Sequence, residues 1–325
     1  MTRVLVTGGA GFLGSHAVAA LTAHDDVAHV VAGDLREARV PDGATWERLD
    51  VTDPASVRRV IEAHDVDTVV HLAAIVNPGT LDEATERAVD VDGTRNVLDA
   101  CVAAGVRRVV ISSSGAAYGY HADNPVPLRE TDPVRGNEEF TYSRHKREVE
   151  EMLARYRTDH PGLGQVVLRI GTILGPGVDN QITALWEARR LLRVRGSESP
   201  FVFAWVDDVT GAVVAGATGA TNGTFNVCGD GVVTVADIAA RLGRRTLDVP
   251  AWALAAALRV GHALRLTVHG PERVGFLRYR PVLDNARLKA ELYVPRLTSR
   301  EAFETWLRGR GTPAGESGGP RREVG

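Results

Sequence analysis

Two cysteines, Cys101 and Cys228, are all that the 325 residues contain. They are too few and too far apart for a disulfide scaffold or a zinc cluster, and no His/Cys/Asp group has metal-ligand spacing. A reducing, cytoplasmic setting without a bound metal is the expectation. Long apolar runs are also missing: the longest, Val249 to Leu258, ends at Arg259 and is too short to span a bilayer. The opening residues lack the apolar segment and small-residue cleavage site of a signal peptide. Charge of one sign is absent too. Lys and Arg total 38 against 41 Asp and Glu, a formal net charge of −3, which offers no cationic field to nucleic acid or an acidic membrane. Lysine itself is almost unused, with only Lys146 and Lys289, so each lysine asks for a reason. What remains is an ordinary globular composition, 44% hydrophobic and 24% charged, which excludes disordered, collagenous and coiled-coil classes.

Short β-branched runs alternate with segments of helical period. Val4 to Thr7 is followed by Phe12 to Ala23, Trp46 to Leu49 by Pro54 to His64, and Thr68 to Leu72 by a long helix from Leu81 to Ala104. Arg107 to Ser112, a helix from Thr141 to Asp159, and Gln165 to Arg169 continue the series. This is repeated βα, and it predicts an α/β fold, a doubly wound parallel sheet of Rossmann type with helices on both faces. Past Gly175-Pro176 the pattern loosens, with helices expected over Gln181–Arg193 and Val249–Leu266 and short strands near Phe201–Val206 and Thr224–Val227. The expected division is a dinucleotide-binding domain over 1–175 with parts of 200–230, a smaller substrate lobe over 176–308, and a flexible Gly- and Pro-rich tail over 309–325. The apolar helix near Trp252 to Leu266 is expected to pack on the sheet or cap the site rather than lie on a membrane surface.

The first strand runs into Thr7-Gly8-Gly9-Ala10-Gly11-Phe12-Leu13-Gly14 and then a helix. One glycine permits a tight turn, one lets backbone N–H groups approach a pyrophosphate, and one lets the helix sit close to the strand, while the helix N-terminus adds partial positive charge. Asp34 ends the second strand 20 residues past Gly14, placed to accept hydrogen bonds from ribose hydroxyls and to repel a 2′-phosphate. NAD is therefore expected over NADP, although Arg36, two residues on, is placed to meet a phosphate.

Tyr142 and Lys146 stand one helical turn apart on one face. A phenol with an ordinary pKa of about 10 is a poor base at neutral pH, but a neighbouring ammonium and an oxidised nicotinamide ring both favour the phenolate. The third member needed is a hydroxyl donor to the same substrate oxygen. Ser112-Ser113-Ser114 closes the fifth strand at the carboxyl edge, where doubly wound sheets bind ligands.

Together, Thr7-Gly8-x-x-Gly11-x-x-Gly14, Asp50-Val51, His71-Leu72-Ala73-Ala74, Asp92-Gly93-Thr94-x-Asn96, Ser112-Ser113-Ser114-x-x-x-Tyr118-Gly119 and Tyr142-x-x-x-Lys146 resemble the extended short-chain dehydrogenase/reductases, the NAD-dependent epimerase/dehydratase family. The resemblance spans roughly residues 1–310 and implies bound NAD or NADP and often a homodimer built on two long helices. By position it implies Ser114, Tyr142 and Lys146 as the catalytic triad, with Lys146 also on the nicotinamide ribose. Asp50 and Val51 become adenine contacts, and Leu72, Ala73 and Ala74 the cofactor-facing strand end. Gly8, Gly11, Phe12, Leu13 and Gly14, with Gly171, Thr172 and Ile173, complete the expected cofactor contacts. Asp90 stands where many relatives carry asparagine.

Departures from that pattern narrow the chemistry. Ser114 is followed by Gly115-Ala116-Ala117, without the acidic residues that the family's dehydratases and decarboxylases carry there. Hydride transfer remains, either net or transient. Nucleotide-sugar members usually show an asparagine three residues after the sixth-strand arginine, and an Arg-Asp-Tyr segment before the late Val-Asp-Asp. Here Thr172 follows Arg169, and Phe201-Val202-Phe203-Ala204-Trp205 precedes Val206-Asp207-Asp208. Phe201, Phe203 and Trp205, with Ser114 and Ala116, are thus expected to line an apolar substrate site, because burying an unpaired diphosphate among them would be costly. Arg189, Arg190, Arg193 and Arg195 are expected on a solvated helix face, ahead of the alternative that they rebuild an anion site, and Asp207 and Asp208 as a helix N-cap. The expected activity is an NAD(P)-dependent oxidoreductase interconverting a secondary alcohol and a ketone on an apolar small molecule. Its rivals are a nucleotide-sugar epimerase with tightly held NAD and a non-catalytic dinucleotide-binding sensor, although such sensors often lose the tyrosine or lysine.

Overall fold

A computed structural model describes residues 1–75, 81–178, 181–264, 266–267, 270–271 and 273–310. The expected flexible tail lies, from residue 311 on, outside the described residues. The first half alternates strand and helix: β1 (Thr2–Thr7), α1 (Phe12–Thr22), β2 (Val27–Asp34), β3 (Ala44–Arg48), α2 (Pro54–Ala63) and β4 (Thr68–His71). Next come α3 (Glu83–Arg87), a π-helical turn over Ala88–Asp92, α4 (Gly93–Ala104), β5 (Arg108–Ser114), a 3-10 turn over Gly115–Tyr118, α5 (Thr141–Asp159) and β6 (Gly164–Ile170). The second half holds β7 (Thr172–Leu174), α6 (Gln181–Ala184), β8 (Arg190–Val194), β9 (Phe203–Trp205), α7 (Val206–Thr218), β10 (Gly223–Val227), α8 (Val235–Arg241) and β11 (Arg245–Val249). It closes with α9 (Ala251–Ala263), α10 (Arg273–Arg278), α11 (Ala286–Glu291) and α12 (Ser299–Arg310).

Seven of these strands form one parallel sheet in the order β10-β6-β5-β4-β1-β2-β3. The strands are apolar on both faces, as a sheet covered twice must be. Leu5, Val31, Val69, Val109 and Val167 face α2, α4 and α5, and Val4, Val6, Val30, Val70, Val110 and Val166 face α1 and α7. Local signals set the boundaries. Asp53 caps α2 through Ala55 N, with Pro54 at its first position, and Gly105, at φ 69°, ends α4. The strand order reverses between β1 and β4, so the crevice for a ligand opens above their carboxyl ends.

The second half departs from expectation in three places. Only Gln181–Ala184 of the expected 181–193 helix is helical; Arg190–Val194 pairs instead with β11 as a two-stranded parallel ribbon. Arg193 is there held by Asp248, with Nε 2.7 Å from Oδ1, so these arginines form no solvated helix face. The expected 249–266 helix begins only after Pro250, and none of its residues is buried, so it does not pack on the sheet. Asp207 and Asp208 lie in the first turn of α7, whose N-cap is Trp205. Asp208 is instead a structural acceptor, taking Arg296 N at 2.8 Å and Leu297 N at 3.1 Å.

Candidate active site

The turn between β1 and α1 is built by its glycines. Gly8 has φ +70°, and a Cβ there would lie 2.8 Å from Ala73 N; a Cβ on Gly14 would lie 2.0 Å from Gly8 O. Helix and strand can approach this closely only without those carbons. Gly11 caps α1 with no side-chain hydrogen bond, so the first-turn N–H groups of Phe12 and Leu13 face the crevice as a cradle for an anion. Asp34 is fixed at the end of β2 by Ala10 N at 3.0 Å and Arg36 N at 3.0 Å, and the Arg36 guanidinium turns back to Ala10 O at 3.4 Å. Asp50 accepts from both the amide and the hydroxyl of Thr52, and Val51 packs under Gly93. Leu72, Ala73 and Ala74 are partly exposed past β4, and Gly171, Thr172 and Ile173 are partly exposed past β6. The donor set and the missing carbons fit a dinucleotide.

At the same carboxyl edge β5 delivers Ser114, whose Oγ accepts from Ala116 N at 3.2 Å. Its hydroxyl proton is thereby free for a substrate oxygen. Tyr142 and Lys146 project from the first turns of α5. The Lys146 ammonium sits 5.6 Å from the centre of the Tyr142 ring and donates to Ser112 O at 3.2 Å. Ser143, between them, donates to Ala116 O at 2.6 Å, which fastens α5 to the 3-10 turn that follows Ser114. Behind them is a buried polar layer. Asp90, in the π-helical turn, accepts Ile75 N at 2.8 Å and lies 3.4 Å from His145 Nδ1, while His145 Nε2 has no partner. Burial first, and then the Lys146 charge, lower His71 to about 4.

The expected substrate wall is largely elsewhere. Phe201 and Phe203 are 2% and 0% exposed, stacked on each other and edge-on to Trp186, with Phe303 and Trp306 completing the cluster. They are the core of the lobe. Ala116, 5% exposed, is also buried, its peptide occupied by Ser114 and Ser143. Trp205 is partly exposed and donates to Asp207. The aromatic surface beside Tyr142 is made by residues that sequence reasoning missed. Tyr120, Phe140 and Phe276 meet at centroid distances of 5.0 to 5.8 Å. Burial first, then the charge of Tyr142, push the Tyr120 hydroxyl up. Arg280 lies over Phe201 at 3.9 Å and Phe276 at 5.0 Å, its Nε buried without a partner. Tyr120 directly follows the Tyr118-Gly119 motif and Phe140 stands two residues before Tyr142, a signal that was available. Phe276 and Arg280 come from far along the chain and gave none.

The fold is shared with known proteins. The profile of the NAD dependent epimerase/dehydratase family matches residues 4–228. The chain belongs to that family, the extended short-chain dehydrogenase/reductases. An uncharacterized protein of Mycobacterium tuberculosis is 30% identical over 95% of this chain and 84% of its own length. The UDP-glucose 4-epimerase of Azospirillum brasilense is 36% identical over 53% of this chain and 49% of its own. Among solved structures, the Thermus thermophilus UDP-glucose 4-epimerase in complex with NAD matches with a TM-score of 0.71 and 26% identity, covering 95% of this chain and 99% of that one.

Proposed function

We propose that this enzyme transfers hydride, with NAD, at a secondary carbinol or ketone carried by an apolar, ring-bearing small molecule. The observation that carries the reading is the Lys146 ammonium lying over the Tyr142 ring at the strand edge that also presents Ser114. NAD, when bound, supplies or accepts the hydride. Gly8, Gly11, Phe12 and Leu13 would hold its diphosphate, Asp34 its adenosine ribose, and Lys146 its nicotinamide ribose. Asp34 favours NAD over NADP because its fixed carboxylate would repel a 2′-phosphate. In the reductive direction Tyr142 gives its proton to the carbonyl oxygen, Ser114 donates to the same oxygen as charge develops, and the Lys146 ammonium stabilises the phenolate left behind. The face of Tyr120, Phe140 and Phe276 supports a flat apolar substrate.

Tyr142→Phe should lower turnover by about 10²–10⁴-fold while leaving NAD affinity nearly intact, read from nicotinamide absorbance with a panel of apolar secondary alcohols and from NAD titration. Unchanged turnover would remove the mechanism. Lys146→Ala should weaken both. A second reading, nucleotide-sugar epimerisation, draws support from the UDP-glucose 4-epimerases among the relatives. Purified protein that carries stoichiometric NAD and turns over a UDP-hexose without net cofactor change would select it.

A further inference from the structure

Arg280 carries a charge that its protein neighbours do not answer. The guanidinium carbon lies 3.9 Å from the centre of the Phe201 ring and 5.0 Å from that of Phe276, and Nε is buried without a partner. Among the described residues no carboxylate pairs with it, and its one hydrogen bond is long, from Nη1 to Ser199 O at 3.4 Å. Burial pulls the group down to about 9. A guanidinium packed on rings with no anion beside it is costly, yet the chain fixes it there. Ser197 donates to Arg278 O at 2.8 Å and Ser199 to Leu277 O, tying down the last turn of α10. Ser199 is itself held in the left-handed region, at φ 47°, a conformation that costs energy in any residue but glycine.

This charge stands at the far end of the aromatic face. Phe140, the N-cap of α5, is two residues before Tyr142. Tyr120 and Phe276 continue the face, and Phe276 is also a ring on which Arg280 packs. All three rings are partly exposed. A flat apolar ligand lying along them, with its reacting carbon at Tyr142, reaches Arg280 with its other end. A planar carboxylate meets a guanidinium fork through two parallel hydrogen bonds, and such charge-assisted pairs are the strong ones. We infer that Arg280 binds a carboxylate on the substrate, so that the enzyme acts on an apolar, ring-bearing acid. The inference takes its reaction from the hydride-transfer reading, but binding of the acid does not require turnover.

The test is calorimetric titration of the full-length protein, saturated with NAD, with 2-naphthoate and in parallel with its uncharged counterpart 2-naphthamide. Naphthoate should bind more tightly by about tenfold or more. Arg280→Gln should abolish that preference, and Arg280→Lys, which keeps the charge without the fork, should retain only part of it. Tyr142→Phe should keep the whole preference, which separates a failure of this site from a failure of the hydride-transfer reading. Equal affinity for acid and amide in the unaltered protein, or no binding of either, overturns the inference. So does a preference that survives Arg280→Gln or stands undiminished in Arg280→Lys; the second comparison decides the matter if Arg280→Gln does not fold. UDP that binds more tightly than naphthoate, and loses that affinity in Arg280→Gln, also overturns it, since the guanidinium then reads a diphosphate.

Discussion

His71 shows how a single buried side chain can be read down to its proton. Its ring lies between Thr7 Oγ1, 2.7 Å from Nδ1, and Thr94 Oγ1, 3.0 Å from Nε2. Thr94 already donates its hydroxyl proton to Asp90 O at 2.6 Å, so it can only accept from the ring. Nε2 therefore carries the proton, and Nδ1 accepts from Thr7, whose oxygen also receives Ala73 N at 3.3 Å. This is a neutral histidine holding the strand end that faces the cofactor crevice, and its value of about 4 lies below the ordinary value of about 6.5. As pH falls from about 6.5 toward 4, the unfolded chain takes up this proton and the folded one does not, so the stability due to His71 is complete above that window and drains away through it, up to about 3 kcal/mol. His71→Gln should therefore cost about 1–3 kcal/mol at neutral pH, and the gap to the unaltered protein should narrow in urea unfolding at pH 5. A gap independent of pH would show that the ring is not held neutral.

Among the elements, the β1–α1 turn is the most constrained. Gly14→Ala would set a methyl carbon 2.0 Å from Gly8 O, with the remaining close atoms all backbone. No rotamer relieves that contact, so helix and strand must separate. The expected cost is about 3 kcal/mol or more in thermal or urea unfolding, together with loss of NAD binding; a variant of native stability would show that α1 can slide. This turn was legible from sequence because its chemistry is local: three glycines at fixed spacing between a strand and a helix dictate one geometry. The Tyr142–Lys146 face was legible for the same reason. The second half was not. The resemblance implies a charged segment where Phe201 and Phe203 stand, which says that charge is absent here but not which way the rings turn. Trp186, Phe303 and Trp306, remote in sequence, draw them into the core. Arg190–Val194 likewise became a strand because β11, which begins over 50 residues later, pairs with it in register, a tertiary partner outweighing a local helical pattern.

Over the whole molecule, one buried charge pair links the sheet to the lobe. Glu150 of α5 takes three hydrogen bonds of 2.6 to 3.0 Å from Arg169 of β6 and one from Ser113, and both side chains are under a tenth exposed. Arg169 continues to the Tyr118 hydroxyl at 2.7 Å, and Tyr118 donates to Asn226 Oδ1 of β10 at 2.9 Å. Asn226 in turn reaches Leu128 O and Asp284 O, both at 3.0 Å. The sixth-strand arginine is thus spent on architecture rather than on a substrate. Removing one partner leaves the other charge buried and unanswered, which costs far more than the pair contributes to stability. Glu150→Met should lower unfolding free energy by about 3–5 kcal/mol, and Arg169→Met by a comparable amount, whereas the double variant should recover most of either loss. Equilibrium unfolding of the four proteins decides it: simple additivity would mean that the two side chains are solvated separately. Because Tyr118 and Asn226 stay in place only while Arg169 does, the single variants should also loosen the Leu128 and Asp284 contacts, read as faster amide exchange around them.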